Sequence, residues 1–419
     1  MSNLSFEQKL RNFTELLLRE GVNLQPGQQL LINFDQSCCD MADAASEIAY
    51  EMGAKYVDLA YGSSRRDAAQ ISKARTNYRT FFPGYQAVRG DQLVDGRGAV
   101  LALRSQREPD LFAALDQTAI AAFMAAANDA RKRMQEEGIS GFGVNWCLAC
   151  PPSPKWAQKV FPKLDEEAAV KSLWDQIFSM TFADQHDCLE KWRGHVQRLG
   201  RRAEILDSMG IRELHFTGNG TDLKVGLSER SQFLSGRKAT PHGVEFCPNI
   251  PTFEAYTTPD WRRTEGVAVL TRPAIINGTK VTGLKITFEK GEVVDTQAET
   301  NVEAYRALIA TDAGSRRLGE IALVGTDSPI YKSGLVFENT LYDENAACHF
   351  ATGRAYLAAL RDGDNMEPKE LDACGYNNSK THQDVMISND SVDVTASLKN
   401  GERVPLIRKG AWEPRLLNP

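Results

Sequence analysis

Apolar positions near the start of the chain recur at helical spacing, at Leu10, Phe13, Leu16, Leu17 and Leu18, with Gly21 as a stop. Residues 4–20 are therefore predicted to open the chain as a helix. After Pro26-Gly27 comes a short apolar run, QQLLINF (28–34), then an Ala-rich amphipathic stretch over 38–52 that ends at Gly53, then KYVDLAYG (55–62). Two strand-length runs around one helix-length run predict a βαβ unit. The alternation continues with GAVLALRS (98–105), helical material over 109–137, GFGVNWCLA (141–149) and a helix from about 166 to 181. Strands separated by helices of this length predict a mostly parallel, Rossmann-like sheet with helices on both faces. No G-x-G-x-x-G opens a helix after the first strand, so no dinucleotide site is read.

A long charged helix over 186–209 is predicted to bridge to a second region in which the period changes. IRELHFTG and DLKVGLS flank a Gly-Asn-Gly turn; VAVLTRPAII, Asn277-Gly278, TKVTGLKITF and EVVDTQ read as a meander of hairpins. A helix near 300–312 interrupts the pattern, and VMIS, VDVTASL and RVPLI close it, with Asn400-Gly401 as a further hairpin turn. The expected fold class is α/β plus α+β: a Rossmann-like N-terminal domain over 1–200 and a mainly antiparallel C-terminal domain over 201–419.

Length supports that division, since 419 residues exceed one ordinary core. With 42% apolar and 25% charged residues the composition is that of a soluble globular protein. A net charge of -6, a pI near 5.7 and the absence of any basic stripe exclude a nucleic-acid or anionic-membrane footprint. The N-terminus lacks an apolar core of signal-peptide length, and no run approaches the roughly 18 apolar residues of a membrane span. Eight cysteines without a dense framework fit free thiols in a reducing cytoplasm, the expected location.

Candidate chemistry concentrates in residues 337–356, FENTLYDENAACHFATGRAY, which hold Glu338, Asp343, Glu344, His349 and Tyr356. Asn345 ahead of an Ala-rich run reads as an N-cap, so a helix is predicted to begin there, with Glu344 just outside it. Residues five apart on one helix differ by about 140° and cannot share a ligand. With Glu344 in the preceding loop, it and His349 can converge, while His349 and Tyr356, seven apart, would share a helix face. A lone His on such a helix is also the mark of a satisfied core residue.

Three further segments carry candidates. His382 and Asp384 in THQDVMIS point the same way if that run is a strand, which makes half a metal site or a polar surface strand. Glu320 in RLGE enters the apolar run IALVG, where a charge is costly unless paired, metal-bound or capping the strand edge in water. Glu254 lies in an extended, Pro-flanked loop, NIPTFEAYTTP, as the only acid between Glu245 and Asp260. These four carboxylates and two imidazoles would suit zinc, cobalt, manganese or magnesium without a thiolate. Spacing does not show that the segments meet. No H-E-x-x-H or G-x-S-x-G is present, and Cys147-x-x-Cys150 lacks a second pair and runs into Pro151-Pro152.

From about residue 211 to 412 the chain resembles the thermophilic aminopeptidase family, the M29 metallopeptidases, through GTDLKVGL, NIPTFEAYTTP, RLGEIALV, SPI, NTLYDENAACHFATGRAY and HQDVMIS in the family's order. The N-terminal half matches more loosely. The resemblance implies an aminopeptidase with two divalent ions held by Glu254, Glu320, Glu344, His349, His382 and Asp384, Glu320 being shared. It also implies Tyr356 as a catalytic hydroxyl, short peptides with a free N-terminus as substrates, and a homodimer; Glu320 is in addition the candidate for steering a proton from water to the leaving amine. Phe253 stands where the family commonly has Gly, and VMIS where it often reads FMIG, which bears on pocket shape. Two rival readings are a protein that binds a small ligand without catalysis, and a metal-dependent hydrolase of another amide or a phosphoester.

Overall fold

A computed structural model describes residues 4–417. By its contacts the chain divides into two compact units: residues 1–196 with 236–252, and residues 197–235 with 253–419. The charged helix expected over 186–209 is present as Cys188–Ser208 and runs from the first unit into the second.

The first unit opens on the predicted helix, Phe6–Leu16, closed at its start by a reciprocal Ser5/Gln8 capping box and burying Phe13 and Leu16. Its sheet has four parallel strands, β1 (Gln29–Phe34), β2 (Tyr56–Tyr61), β3 (Ala99–Leu103) and β4 (Asn145–Ala149), in the order β2-β1-β3-β4. Leu30, Leu31 and Ile32 are all buried, the near-continuous apolar run that a sheet covered on both faces demands. Two helices between β2 and β3, Ser64–Lys73 and Tyr85–Asp95, were not foreshadowed by periodicity. Each buries only two residues, Ala68 with Ile71 and Gly90 with Leu93, so no apolar stripe marks them.

The second unit is mainly antiparallel, as the change of period implied. Its larger sheet comprises β5 (Ile211–Gly218), β6 (Thr221–Leu227), β8 (Pro259–Val269), β9 (Lys285–Glu289), β10 (Glu292–Gln297), β14 (Asp393–Leu398), β15 (Arg403–Arg408) and β16 (Ala411–Trp412). They lie in the order β10-β9-β8-β6-β5-β14-β15-β16. The predicted hairpin turn between β5 and β6 has Asn219 and Gly220 at φ 52° and 79°, the left-handed pair that a tight hairpin needs. The smaller sheet, in the order β13-β12-β11-β7, comprises β7 (Ala255–Thr257), β11 (Leu318–Leu323), β12 (His349–Gly353) and β13 (His382–Met386). One of its faces sends Ile321, Leu323, Phe350 and Val385 into the unit's main core, where Phe350 meets Phe288 edge to face at 5.6 Å.

The expected helix from Asn345 is absent. A short helix spans Thr340–Asp343, with Asn339 as its N-cap, a 3-10 turn spans Glu344–Ala346, and the backbone is extended from Ala347 (φ -149°, ψ 152°) into β12. Propensity loses to pairing here: Phe350 and Thr352 suit a pleated strand, and β12 is flanked by a strand on each side. His349 and Tyr356 accordingly do not share a helix face.

Truncating Phe350 to Ala removes the main apolar anchor of the smaller sheet. Chemical denaturation is expected to show a loss of about 3–5 kcal/mol; a loss below about 1 kcal/mol would mean that the sheet is not held by this face.

Candidate metal centre

In an antiparallel ladder, residues directly opposite each other project to the same face. Glu320 stands opposite Ala351, and Ala351 opposite Asp384; Ala322 stands opposite both His349 and Tyr256; Gly353 stands opposite His382. One face of the smaller sheet therefore presents Glu320, His349, His382, Asp384 and Tyr256, with small residues between them. The other face is the apolar one anchored by Phe350. Gly353 is required where it is: its φ is 108°, and a Cβ there would stand 2.2 Å from the Thr381 carbonyl oxygen.

Glu254, one residue ahead of β7, joins this face. Its Oε2 lies 3.1 Å from His349 Nε2, while His382 Nε2 lies 3.3 Å from Glu320 Oε2 and 3.5 Å from Asp384 Oδ1. Ligand atoms fall into two sets, each within 4.8 Å of one another: Glu254, Glu320 and His349, and then Glu320, His382 and Asp384. Glu320 belongs to both. The first set is wholly buried and the second half-buried. Glu344 is buried but outside both sets, and its carboxyl is pushed well above the usual range by burial and by Asp384 and Glu254.

Both imidazoles are oriented from behind. Nδ1 of His349 faces the Ala347 carbonyl at 3.1 Å and Nδ1 of His382 faces the Arg354 carbonyl at 2.8 Å. A carbonyl only accepts, so each Nδ1 donates and each Nε2 is turned to the carboxylates, the usual arrangement of a metal-binding histidine. Burial alone would lower their pKa values. It is outweighed for His349 by Glu254, Asp384 and Glu320, and for His382 by Asp384 and Glu320, so both are raised well above normal.

The residues fit a cationic occupant. Glu254 Oε2 is buried, makes no hydrogen bond of good geometry and faces His349 Nε2 at 3.1 Å, and a buried carboxylate oxygen so placed is costly unless a cation meets it. Four carboxylates against two imidazoles that prefer neutrality as ligands leave a deficit that two divalent ions would balance. No cysteine joins either set; Cys147 and Cys150 are buried thiols in no disulfide, and burial pushes the Cys147 thiol well up.

Tyr356, in the loop after β12, places its hydroxyl 3.4 Å from His382 Nε2 and its ring edge-on to Tyr256 at 5.8 Å. Burial, then Glu320 and Asp384, raise its pKa well above normal, so the phenol stays protonated and can donate.

Sequence reasoning passed over Tyr256 and Arg272, and named Asp343 without its partner. Tyr256 lies two positions after Glu254, a spacing that places both on one face of an extended segment. The pair of buried Asp343 with half-buried Arg272, at 2.9 Å, is harder to find, since nothing in the spacing joins residues so far apart. Asp343 also accepts the amides of Phe337 and Asn339 and so braces the turn that carries Glu344.

The model of the thermophilic metalloprotease (M29) family matches residues 6–412. Aminopeptidase T of Thermus aquaticus is 37% identical over 411 residues, covering 97% of this chain and 99% of its own. Aminopeptidase PepS of Streptococcus thermophilus is 34% identical over 409 residues, covering 97% and 98%. The solved structure of wild-type AmpT from Thermus thermophilus is similar with a TM-score of 0.89 at 35% identity, over 97% of this chain and 100% of that one.

Replacing Arg272 by Ala strands Asp343 as a buried, uncompensated carboxylate. Denaturant unfolding is expected to show a loss of about 3–5 kcal/mol; a loss within about 1 kcal/mol would show that the pair does not brace the turn.

Proposed function

The chain belongs to the thermophilic metalloprotease (M29) family, and from that premise we propose that it is an aminopeptidase whose two divalent ions are held on the polar face of the smaller sheet. The observation that carries this reading is the pair of three-residue donor sets joined at Glu320. Glu254 and His349 would complete one site, His382 and Asp384 the other, with Glu344 as a further carboxylate beside them. Oxygen and nitrogen donors suit zinc, cobalt, manganese or magnesium.

When bound, such ions would supply Lewis acidity to a peptide carbonyl and lower the pKa of water toward neutrality. The chain's own groups do the rest. The Tyr356 phenol, kept protonated, donates to the oxygen that becomes negative as the carbonyl is attacked. Glu320 carries the proton released from water to the departing amine. The free α-amine of the substrate would sit on an ion or on a nearby carboxylate, which selects a free N-terminus. Short peptides as substrates and a homodimer follow the resemblance. A cytoplasmic location follows the eight cysteines, none of them in a disulfide among the described residues. Non-catalytic ligand binding is not favoured, because the relatives are named as aminopeptidases.

Chelator-stripped protein is expected to lose hydrolysis of aminoacyl p-nitroanilides and to regain it with zinc, cobalt, manganese or magnesium, whereas His382→Ala stays inactive under each ion. Restored cleavage of a phosphoester but of no free-amine substrate would overturn the reading. Tyr356→Phe is expected to lower kcat by about a hundredfold or more while bound metal per chain is unchanged; an unaltered kcat would remove Tyr356 from the chemistry.

A further inference from the structure

Asn345 is fully buried, and the polar atoms of its side chain reach two different segments. Its Oδ1 accepts the backbone N–H of Phe253 at 2.6 Å, while its Nδ2 donates to the Leu341 carbonyl at 2.9 Å and lies 3.5 Å from Glu344 Oε1. Its own carbonyl accepts the Ser328 hydroxyl at 2.6 Å. Phe253 immediately precedes Glu254, and Asn345 immediately follows Glu344. One amide thus ties two segments 92 residues apart at the points where each delivers a carboxylate.

Neither carboxylate is held there by a sheet. Glu254 precedes β7, and Glu344 sits in the 3-10 turn before β12. Buried like charges repel, and at low dielectric the repulsion is strong. Without a tie, the loop and the turn would relax apart. Only an amide of this length serves both bonds: Asp lacks the donor for Leu341 and adds a charge, and Ala lacks both polar atoms.

We infer that Asn345 is a positioning residue that holds the loop of Glu254 against the turn of Glu344, so that the cation-binding face is assembled before a cation arrives. The inference rests on the two-ion reading above. Its consequence is a division of labour: the ligands are anchored by strands on one side, and by one side-chain amide on the other.

The test titrates Co2+ into chelator-stripped protein and follows cobalt absorption and competition with a chromophoric chelator. Asn345→Ala and the volume-matched Asn345→Leu are expected to weaken Co2+ binding about 10- to 100-fold, the usual effect of removing a group that orients ligands. Ser328→Ala, which removes a buried hydrogen bond to the same residue's carbonyl, is expected to lower Tm but keep affinity within about threefold. Equal affinity loss in Ser328→Ala, or wild-type affinity in Asn345→Leu, overturns the inference. If neither Asn345 variant folds, hydrogen exchange on the stripped wild type decides: the Phe253 amide is expected to be protected without metal, and free exchange overturns the inference. A wild type that takes up no Co2+ would sink the two-ion reading itself, and this inference with it.

Discussion

The second unit depends on one constraint: two carboxylates and two imidazoles on one face of a four-stranded sheet, and two more carboxylates from the segments beside it, are concentrated together largely out of water. Moving a single ion from water to a protein interior costs on the order of several kcal/mol even after relaxation. The unit meets this cost with its opposite face, where Ile321, Leu323, Phe350 and Val385 are buried in the main core. Apolar burial on one side of β11, β12 and β13 supports an electrostatically unfavourable arrangement on the other.

Register converts that constraint into a site. Pairing of Glu320 with Ala351, and of Ala351 with Asp384, sets a row of acid, small residue and acid across three strands. A slip of one residue would turn the carboxylates into the core and Phe350 outward, so core and site enforce each other. The small residues Ala322, Ala351 and Gly353 leave space between the donors. Carbonyls behind the two histidines fix which nitrogen faces inward.

Much of this was legible in the sequence, and the reasons are physical. An apolar run marked the strand that carries Glu320, strand geometry put His382 and Asp384 on one face, and the change of period near residue 210 marked the passage from a parallel to an antiparallel region. The segment around Asn345 was not legible by the same means. Its Ala content and an apparent N-cap favour a helix, but the cap is Asn339, and strands on both sides of His349–Gly353 claim the backbone. Local propensity cannot report partners that arrive from residues 318 and 382. The same limit hid the Arg272–Asp343 pair and the bond from Asn345 to Phe253, both of which join distant segments. The helices Ser64–Lys73 and Tyr85–Asp95 escaped for a simpler reason, since they bury too little to leave a stripe.

The central claim is that Glu320 lies between two cation sites on this face. Anomalous X-ray diffraction from crystals equilibrated with zinc, recorded on both sides of the zinc absorption edge, tests it most directly. The account predicts two anomalous peaks flanking the Glu320 carboxylate, one beside Glu254 and His349 and one beside His382 and Asp384. A single peak, or peaks that leave Glu320 out of contact, would contradict it.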